Sequence, residues 1–136
     1  LAEHTNPPSD VVLRSGIRVE ELPGRLVQQV ADLAPQNRKL STQDLFAFVL
    51  ARHHRCLLVT GDGRLRALAE KQATECHGTL WVMDMMVEHG ILSPASAHTA
   101  LETMLAKNAR LPAAECTERQ RLWREMQSSA SMPDPE

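Results

Sequence analysis

Two aspartates occupy positions where carboxylates can hold a metal ion. Asp44 falls in the first turn of a predicted helix, and Asp62 follows an apolar segment in the turn Thr60-Gly61-Asp62-Gly63. In an open parallel sheet, ligands bind outside the carboxyl ends of the strands, where loops meet the starts of helices. Because Mg²⁺ takes oxygen ligands, a few converging carboxylates can form a site for it. If the two segments are neighbours, we expect both carboxylates to face one crevice.

The same aspartates also have an ordinary structural interpretation. A carboxylate in the first turn of a helix is favoured by the helix dipole, and aspartate is a common turn former. Spacing alone favours this structural interpretation over metal binding. The metal-site hypothesis therefore depends on the elements that surround the two residues.

Three segments predict strands near these aspartates. The alternation of apolar and polar residues over 17–21 is typical of a half-buried strand. The apolar run Cys56-Leu57-Leu58-Val59-Thr60 predicts a strand buried on both faces, and therefore a parallel sheet. A further short strand is predicted at 75–77.

Hydrophobic periodicity predicts helices around these strands. They lie at about 9–15, 26–33, 42–54, 65–73 and 80–89, with two more that start at Pro94 and Pro112. Ser41 is expected to cap the 42–54 helix, and Gly90 to end the 80–89 helix. Apolar residues on nearly every side of the 80–89 helix predict that it is largely enclosed. It should form a hairpin with the helix that follows.

Composition limits the kinds of partner. The 136 residues are 43% hydrophobic and 24% charged, which suits one domain with its own core. A net charge of -2 means that any contact with an anionic partner must be local. With two Phe, two Trp and no Tyr, a platform for base stacking is not expected. Apolar stretches fall far short of the roughly 20 residues that span a bilayer, so we expect a soluble, cytoplasmic protein without a membrane segment.

The cysteines do not form a recognisable disulfide framework. Cys56, Cys76 and Cys116 are odd in number and far apart, so reduced cytoplasmic thiols are expected. A zinc site would have to draw its ligands from His53, His54, Cys56, Cys76 and His77. Their spacing is not that of a known zinc module. Cys56 and Cys76 fall in predicted strands, so burial in the core is the favoured interpretation.

Several segments resemble the second half of a PIN domain. The first two are Leu40-Ser41-Thr42-Gln43-Asp44 before an apolar helix, and Leu57-Leu58-Val59-Thr60-Gly61-Asp62 followed by Leu65-Arg66, Ala69 and Glu70. The similarity continues through Gly78-Thr79-Leu80-Trp81, the helix to Gly90, Ile91-Leu92-Ser93 and Arg110-Leu111-Pro112. This pattern is similar to one branch of prokaryotic VapC-like PIN proteins and covers about residues 1–112.

The resemblance implies a three-layer α/β/α sandwich around a short parallel sheet, with a C-terminal helical hairpin and a final helix. The PIN-like domain would cover 1–111, while the residues that follow predict by themselves a C-terminal helix over 112–126 and, because they are polar and contain prolines, a flexible tail over 127–136. In the family the first acid lies on an N-terminal strand, and no such strand precedes Leu1. We expect an N-terminal segment to be missing, because losing a central strand would expose a buried sheet edge.

The resemblance also implies a metal-dependent endoribonuclease, in which acidic residues gather around Mg²⁺ or Mn²⁺ to cleave RNA. Asp44 and Asp62 match two of the catalytic, metal-binding acids by position, and Glu3 matches the acid near the end of an early helix. Thr60 would orient Asp62 through a hydrogen bond. Arg64 and Arg66 would hold RNA phosphates, with solvated helix charges as the equal alternative.

The branch that the chain resembles implies the toxin half of a toxin–antitoxin pair. An antitoxin protein would then be a partner, and a homodimer is expected because an apolar helical surface with methionines can be shielded by a second copy. The alternative is a catalytically silent PIN-like module that dimerises or binds such a partner through its helical surface.

Overall fold

A computed structural model describes residues 7–130 of the chain. The helices are α1 Ser9–Arg14, α2 Gly24–Leu33, α3 Thr42–His54, α4 Gly63–Lys71, α5 Thr79–Glu88, α6 Pro94–Ala106 and α7 Ala113–Ala130, and the strands are β1 Leu58–Val59 and β2 Cys76–His77. A 3₁₀ turn, Ala34–Gln36, follows α2. The predicted helices all form, and α7 continues to Ala130, beyond the predicted end at residue 126.

The two strands pair in parallel and α4 connects them. Leu58 is aligned with Cys76 and Val59 with His77. The backbone N–H of Leu58 donates to the carbonyl of Glu75 at 2.8 Å, and that of Thr60 to the carbonyl of His77 at 2.9 Å. A parallel pair needs a crossover connection, which α4 supplies. The chain is therefore a helix-rich α/β protein with a short parallel sheet, consistent with the predicted α/β/α class.

The predicted strand at 17–21 is wrong. This segment is irregular, and Ile17 and Val19 are 58% and 78% exposed. A segment of alternating apolar and polar residues forms a strand only where a neighbouring strand can pair with it. Among residues 7–130, β1 and β2 pair with each other and not with this segment. The segment contacts the end of α3 instead, where Glu20 Oε2 lies 2.6 Å from His54 Nε2.

The predicted burial of β1 on both faces is also wrong. Leu58 is 6% exposed, but Val59 is 49% exposed. Leu58 belongs to a hydrophobic cluster with residues of α2, α3 and α4, whereas Val59, on the other side of β1, stays half exposed. Cys56, predicted to be in the core, lies before the strand and is exposed, whereas Cys76 is partly buried against the core.

Two hydrophobic clusters hold the helices. The first joins α2, α3, β1 and α4 through Leu26, Val30, Leu45, Phe48, Val49, Ala51, Leu58, Leu65, Leu68 and Ala69. The second joins α5, α6 and α7 through Leu80, Met83, Ala97, Leu101, Cys116 and Trp123. Burial of such apolar side chains is the main force that stabilises each group of helices.

The helical hairpin of α5 and α6 forms as predicted. Gly90, just after α5, has a φ of +71°, the left-handed conformation that glycine adopts without strain. Enclosure of α5 is less complete than predicted, since its buried residues are Leu80 and Met83 alone. No helix between residues 7 and 130 is long and apolar enough to cross a membrane.

Candidate functional site

Asp62 caps the start of α4 at the carboxyl end of β1. Its Oδ1 accepts hydrogen bonds from the backbone N–H groups of Arg64 at 2.8 Å and Leu65 at 3.1 Å. The backbone N–H of Asp62 donates to Thr60 Oγ1 at 3.1 Å, so the threonine contacts the aspartate through its backbone. These bonds fix the position of the carboxylate. Its other oxygen, Oδ2, accepts no hydrogen bond from the described residues.

Asp44 forms a capping box at the start of α3. The Ser41 hydroxyl accepts from the backbone N–H of Asp44 at 3.1 Å, and Asp44 Oδ2 accepts from the backbone N–H of Ser41 at 3.0 Å. Two N–H groups that lack helical partners are satisfied in this way. The cap is formed by Ser41, as predicted.

Both aspartates therefore stabilise the start of a helix, Asp44 where a first-turn carboxylate is predicted and Asp62 as an N-cap in the predicted turn. A carboxylate has two oxygens, and in each residue a single oxygen is used by the cap. Carboxylate oxygens are suitable ligands for Mg²⁺ or Mn²⁺. Glu3, the third predicted ligand, lies outside the described residues.

No group of three or more His, Cys, Asp or Glu side chains within residues 7–130 could hold a metal ion. The histidines and cysteines considered for zinc all lie in this range and likewise form no such group. The two described aspartates have the right donor atoms for a hard cation, but the predicted ligand set needs a third residue from outside this range.

A cleft of about 220 Å³ lies beside the Asp62 turn, between the start of α5 and the start of α7. We call it the α5 cleft. It is lined by Gly61, Arg66, Cys76, His77, Gly78, Thr79, Leu80, Trp81, Arg110, Leu111, Pro112, Glu115 and Arg119. Gly61 places one edge of the cleft next to Asp62 in the chain.

Arg66 lines the α5 cleft next to Thr60 and Gly78. Its Nη2 donates to the carbonyl of Thr60 at 3.4 Å, while its Nε is buried and has no hydrogen-bond partner among the described residues. A Cβ at Gly78 would lie only 2.6 Å from Nη2, so this glycine allows the guanidinium to lie against the start of α5. Arg64, the other predicted phosphate ligand, does not line this cleft; it lines a groove with Leu33 and Gln36.

Two aromatic rings stack in the α5 cleft. The His77 and Trp81 ring centroids are 4.3 Å apart, with 12° between the planes. His77 Nε2 lies 2.9 Å from Glu75 Oε1, which orients the imidazole. The small number of aromatic residues gives no reason to expect such a pair. The spacing of His77 and Trp81 across the junction of β2 and α5 is the sequence signal that could have indicated this pair.

An ion pair joins α7 to α5 at the cleft. Arg119 Nη2 donates to Asp84 Oδ2 at 2.8 Å, and Arg119 Nε lies 3.1 and 3.2 Å from the two carboxylate oxygens. The hydrogen bond to Asp84 raises the pKa of Arg119, so its charge is secure. Arg110, by contrast, is exposed and forms no ion pair within the described chain.

Cys76 is the only cysteine that lines the α5 cleft. Burial raises the pKa of its thiol, and the nearby Arg66 partly opposes this increase. The thiol is therefore the favoured form at neutral pH, which does not suit a nucleophile.

A sequence model described as a PIN domain matches residues 8–125 of the 136. The match includes α1 through most of α7, and therefore Asp44, Asp62 and the α5 cleft. Comparison with curated proteins and with solved structures gives no significant match.

Proposed function

This chain belongs to the PIN domain family, and on that premise we propose that it is a metal-dependent endoribonuclease that hydrolyses RNA phosphodiester bonds. PIN domains have a nuclease-type fold. The observation that carries the proposal is the family match over residues 8–125, which includes an aspartate at the carboxyl end of β1. Ligands of parallel sheets bind at that end.

Asp44, Asp62 and Glu3 would hold Mg²⁺ or Mn²⁺ in this proposal. The ion, when bound, would supply an activated water and stabilise negative charge on the phosphate. The chain supplies the negative charge that binds the ion, and the cap bonds keep the Asp62 carboxylate at the start of α4. Thr60 supports the same turn through the backbone N–H of Asp62. Arg64 and Arg66 would bind RNA phosphates.

We extend the proposal to a toxin of a toxin–antitoxin pair that forms homodimers. The support is an apolar groove between α5 and α7, where Leu122 and Met126 are 44% and 39% exposed. Exposed apolar patches of this kind mark surfaces that bind protein. An antitoxin or a second copy would cover this surface.

A silent PIN-like binding module is the second candidate. It is favoured by one observation: both described aspartates act as helix caps, and no group of three metal ligands exists within residues 7–130. In that case the acidic residues only stabilise helices.

Cleavage of single-stranded RNA by the full-length protein separates the two candidates. We expect cleavage with Mg²⁺ or Mn²⁺, none with EDTA, and at least about a hundredfold loss of rate in Asp44→Asn and Asp62→Asn. Asparagine is as good an N-cap as aspartate, so the Asp62 variant should keep its thermal stability. The amide removes the charge that binds the ion and leaves the shape.

Asp32→Asn is the matched control, since Asp32 is an exposed aspartate on α2 that accepts a hydrogen bond from Gln28. It should cleave RNA at the normal rate. Cleavage that survives EDTA, or that is unchanged in both folded variants of Asp44 and Asp62, contradicts the metal-dependent mechanism.

A further inference from the structure

The α5 cleft combines positive charge, unused hydrogen-bond donors and a pair of stacked rings. We propose that it binds single-stranded RNA, with Arg66 and Arg110 on phosphate oxygens and an adjoining unpaired base against His77 and Trp81. This inference rests on the proposed function for its choice of RNA. It extends the set of RNA contacts to Arg110, His77 and Trp81.

The charges in the cleft favour an anion. Arg66 and Arg110 form no ion pair with any carboxylate of the described chain, whereas Arg119 is neutralised by Asp84. Glu115 is the acidic residue that lines the cleft. Arg66 and Arg110 thus place two guanidinium groups without an ion-pair partner in a lining that contains one carboxylate. Glu75, which contacts His77, is 67% exposed, so solvent screens its charge. The lining is therefore locally positive, although the whole chain has a net charge of -2. A planar guanidinium binds phosphate through two parallel hydrogen bonds.

The position of Arg66 leaves a hydrogen-bond donor unsatisfied. Its buried Nε has no partner among residues 7–130, and a buried donor without an acceptor is costly. The guanidinium lies against the start of α5, a helix of 10 residues with no side-chain cap at Gly78. A phosphate at this place would accept from Arg66 and meet the favourable end of the helix dipole.

The rings select an unpaired base. His77 and Trp81 are both partly buried and both line the cleft, so part of each ring stays accessible. Bases stack on aromatic side chains without much regard to sequence, because every base has a flat π surface. In a duplex the bases already stack on each other and their faces are not accessible. The rings therefore favour a single strand over a duplex.

The place of the cleft fits an extended substrate. Gly61 lines the cleft and Asp62 is the next residue, at the carboxyl end of β1. RNA bound in the cleft would pass beside Asp62, one of the residues proposed to hold the metal. Binding energy gained in the cleft would then position a phosphodiester near that site.

Binding of a fluorescein-labelled single-stranded RNA of mixed sequence, measured by anisotropy in EDTA with the full-length protein, tests the inference without cleavage. We expect Arg110→Ala to weaken binding and to reduce the slope of log Kd against log salt by about 0.7, the value for one lost phosphate contact with a single strand. Trp81→Ala should weaken binding at least about fivefold and leave the salt slope unchanged.

Three further variants keep the test specific. Trp81→Phe retains a flat ring and should bind better than Trp81→Ala, which guards against a loss caused by misfolding. Gly78→Ala should weaken binding with no change of charge, because the new Cβ displaces the Arg66 guanidinium. Arg124→Ala removes an exposed arginine of α7 that does not line the cleft, and should change Kd less than about twofold.

Several results would overturn the inference. These are normal binding by both Arg110→Ala and Trp81→Ala, an equal loss in Arg124→Ala, equal affinity for a duplex of the same sequence, and displacement of RNA by inorganic phosphate as readily as by unlabelled RNA. RNA that binds through the cleft but is not cleaved with Mg²⁺ would contradict the nuclease and not the cleft. Cleavage with a normal KM in Arg110→Ala and Trp81→Ala would contradict RNA binding in the cleft and leave the nuclease proposal intact.

Discussion

The Asp62 turn and the α5 cleft are neighbours that are stabilised over very different distances along the chain. Asp62 and Asp44 form their cap hydrogen bonds with residues two or three positions away. The cleft is lined by residues of β2, α5 and α7, and α7 is joined to α5 by Asp84 and Arg119, which are 35 positions apart, and packs against α6. The proposed metal ligands are therefore set by local structure, whereas the proposed RNA contacts need the helical cluster to form first.

The largest expected effect is the loss of Trp123, which is 1% exposed at the centre of the second cluster. Trp123→Ala should lower the free energy of unfolding by about 3–5 kcal/mol, because it leaves a cavity among α5, α6 and α7. Urea denaturation measures the loss, and Trp123→Phe should lose less. A change below about 1 kcal/mol would contradict the position of Trp123 at the centre of this cluster.

The next effect concerns the ion pair that joins α5 to α7. Asp84→Asn should lower the free energy of unfolding by about 1–2 kcal/mol, since Arg119 loses a charged partner at a site where the two side chains are only 21% and 35% exposed. The matched control is Glu125→Gln, which breaks the exposed Arg121–Glu125 pair and should cost no more than about 0.5 kcal/mol. Equal effects of the two variants in thermal denaturation would remove the distinction between the two pairs.

The smallest effect separates the two roles of Asp62. Asp62→Ala should lower the free energy of unfolding by about 1 kcal/mol through loss of the N-cap, whereas Asp62→Asn should change it by only a few tenths. Both variants should lose RNA cleavage if the carboxylate binds the ion. Denaturation and cleavage measured on the same preparations check this, and an active Asp62→Ala protein would leave only the cap.

The helices and the Ser41 cap are predicted correctly because their signals are local. Ser41 and Asp44 are close in sequence, and the apolar stripe of α3 follows them at helical spacing. The strand predicted at 17–21 failed for the opposite reason, since a strand needs a partner that no local pattern supplies. The exposure of Val59 likewise depends on what covers β1, and the run of apolar residues does not show that.

In the candidate site, too, residues with a local motif could be predicted and residues brought together by packing could not. Asp44, Asp62, Thr60 and Arg66 could be selected from their motifs, and the family match over residues 8–125 supports the PIN resemblance. Arg110 and Trp81 could not be selected as binding residues, because their shared cleft is visible only after α7 packs beside α5. Arg64 and Arg66 are two residues apart, yet only Arg66 lines the cleft.

The sequence by itself determined the helices, the Ser41 cap and the PIN family, because periodicity, caps and motifs act over a few residues. Tertiary structure alone decided that β1 is covered on one face and that Arg66, Arg110 and the His77–Trp81 pair line one cleft. The physical reason is the range of the interactions: hydrogen bonds at a helix start close within one turn, whereas a cleft exists only when segments far apart in the chain are packed together.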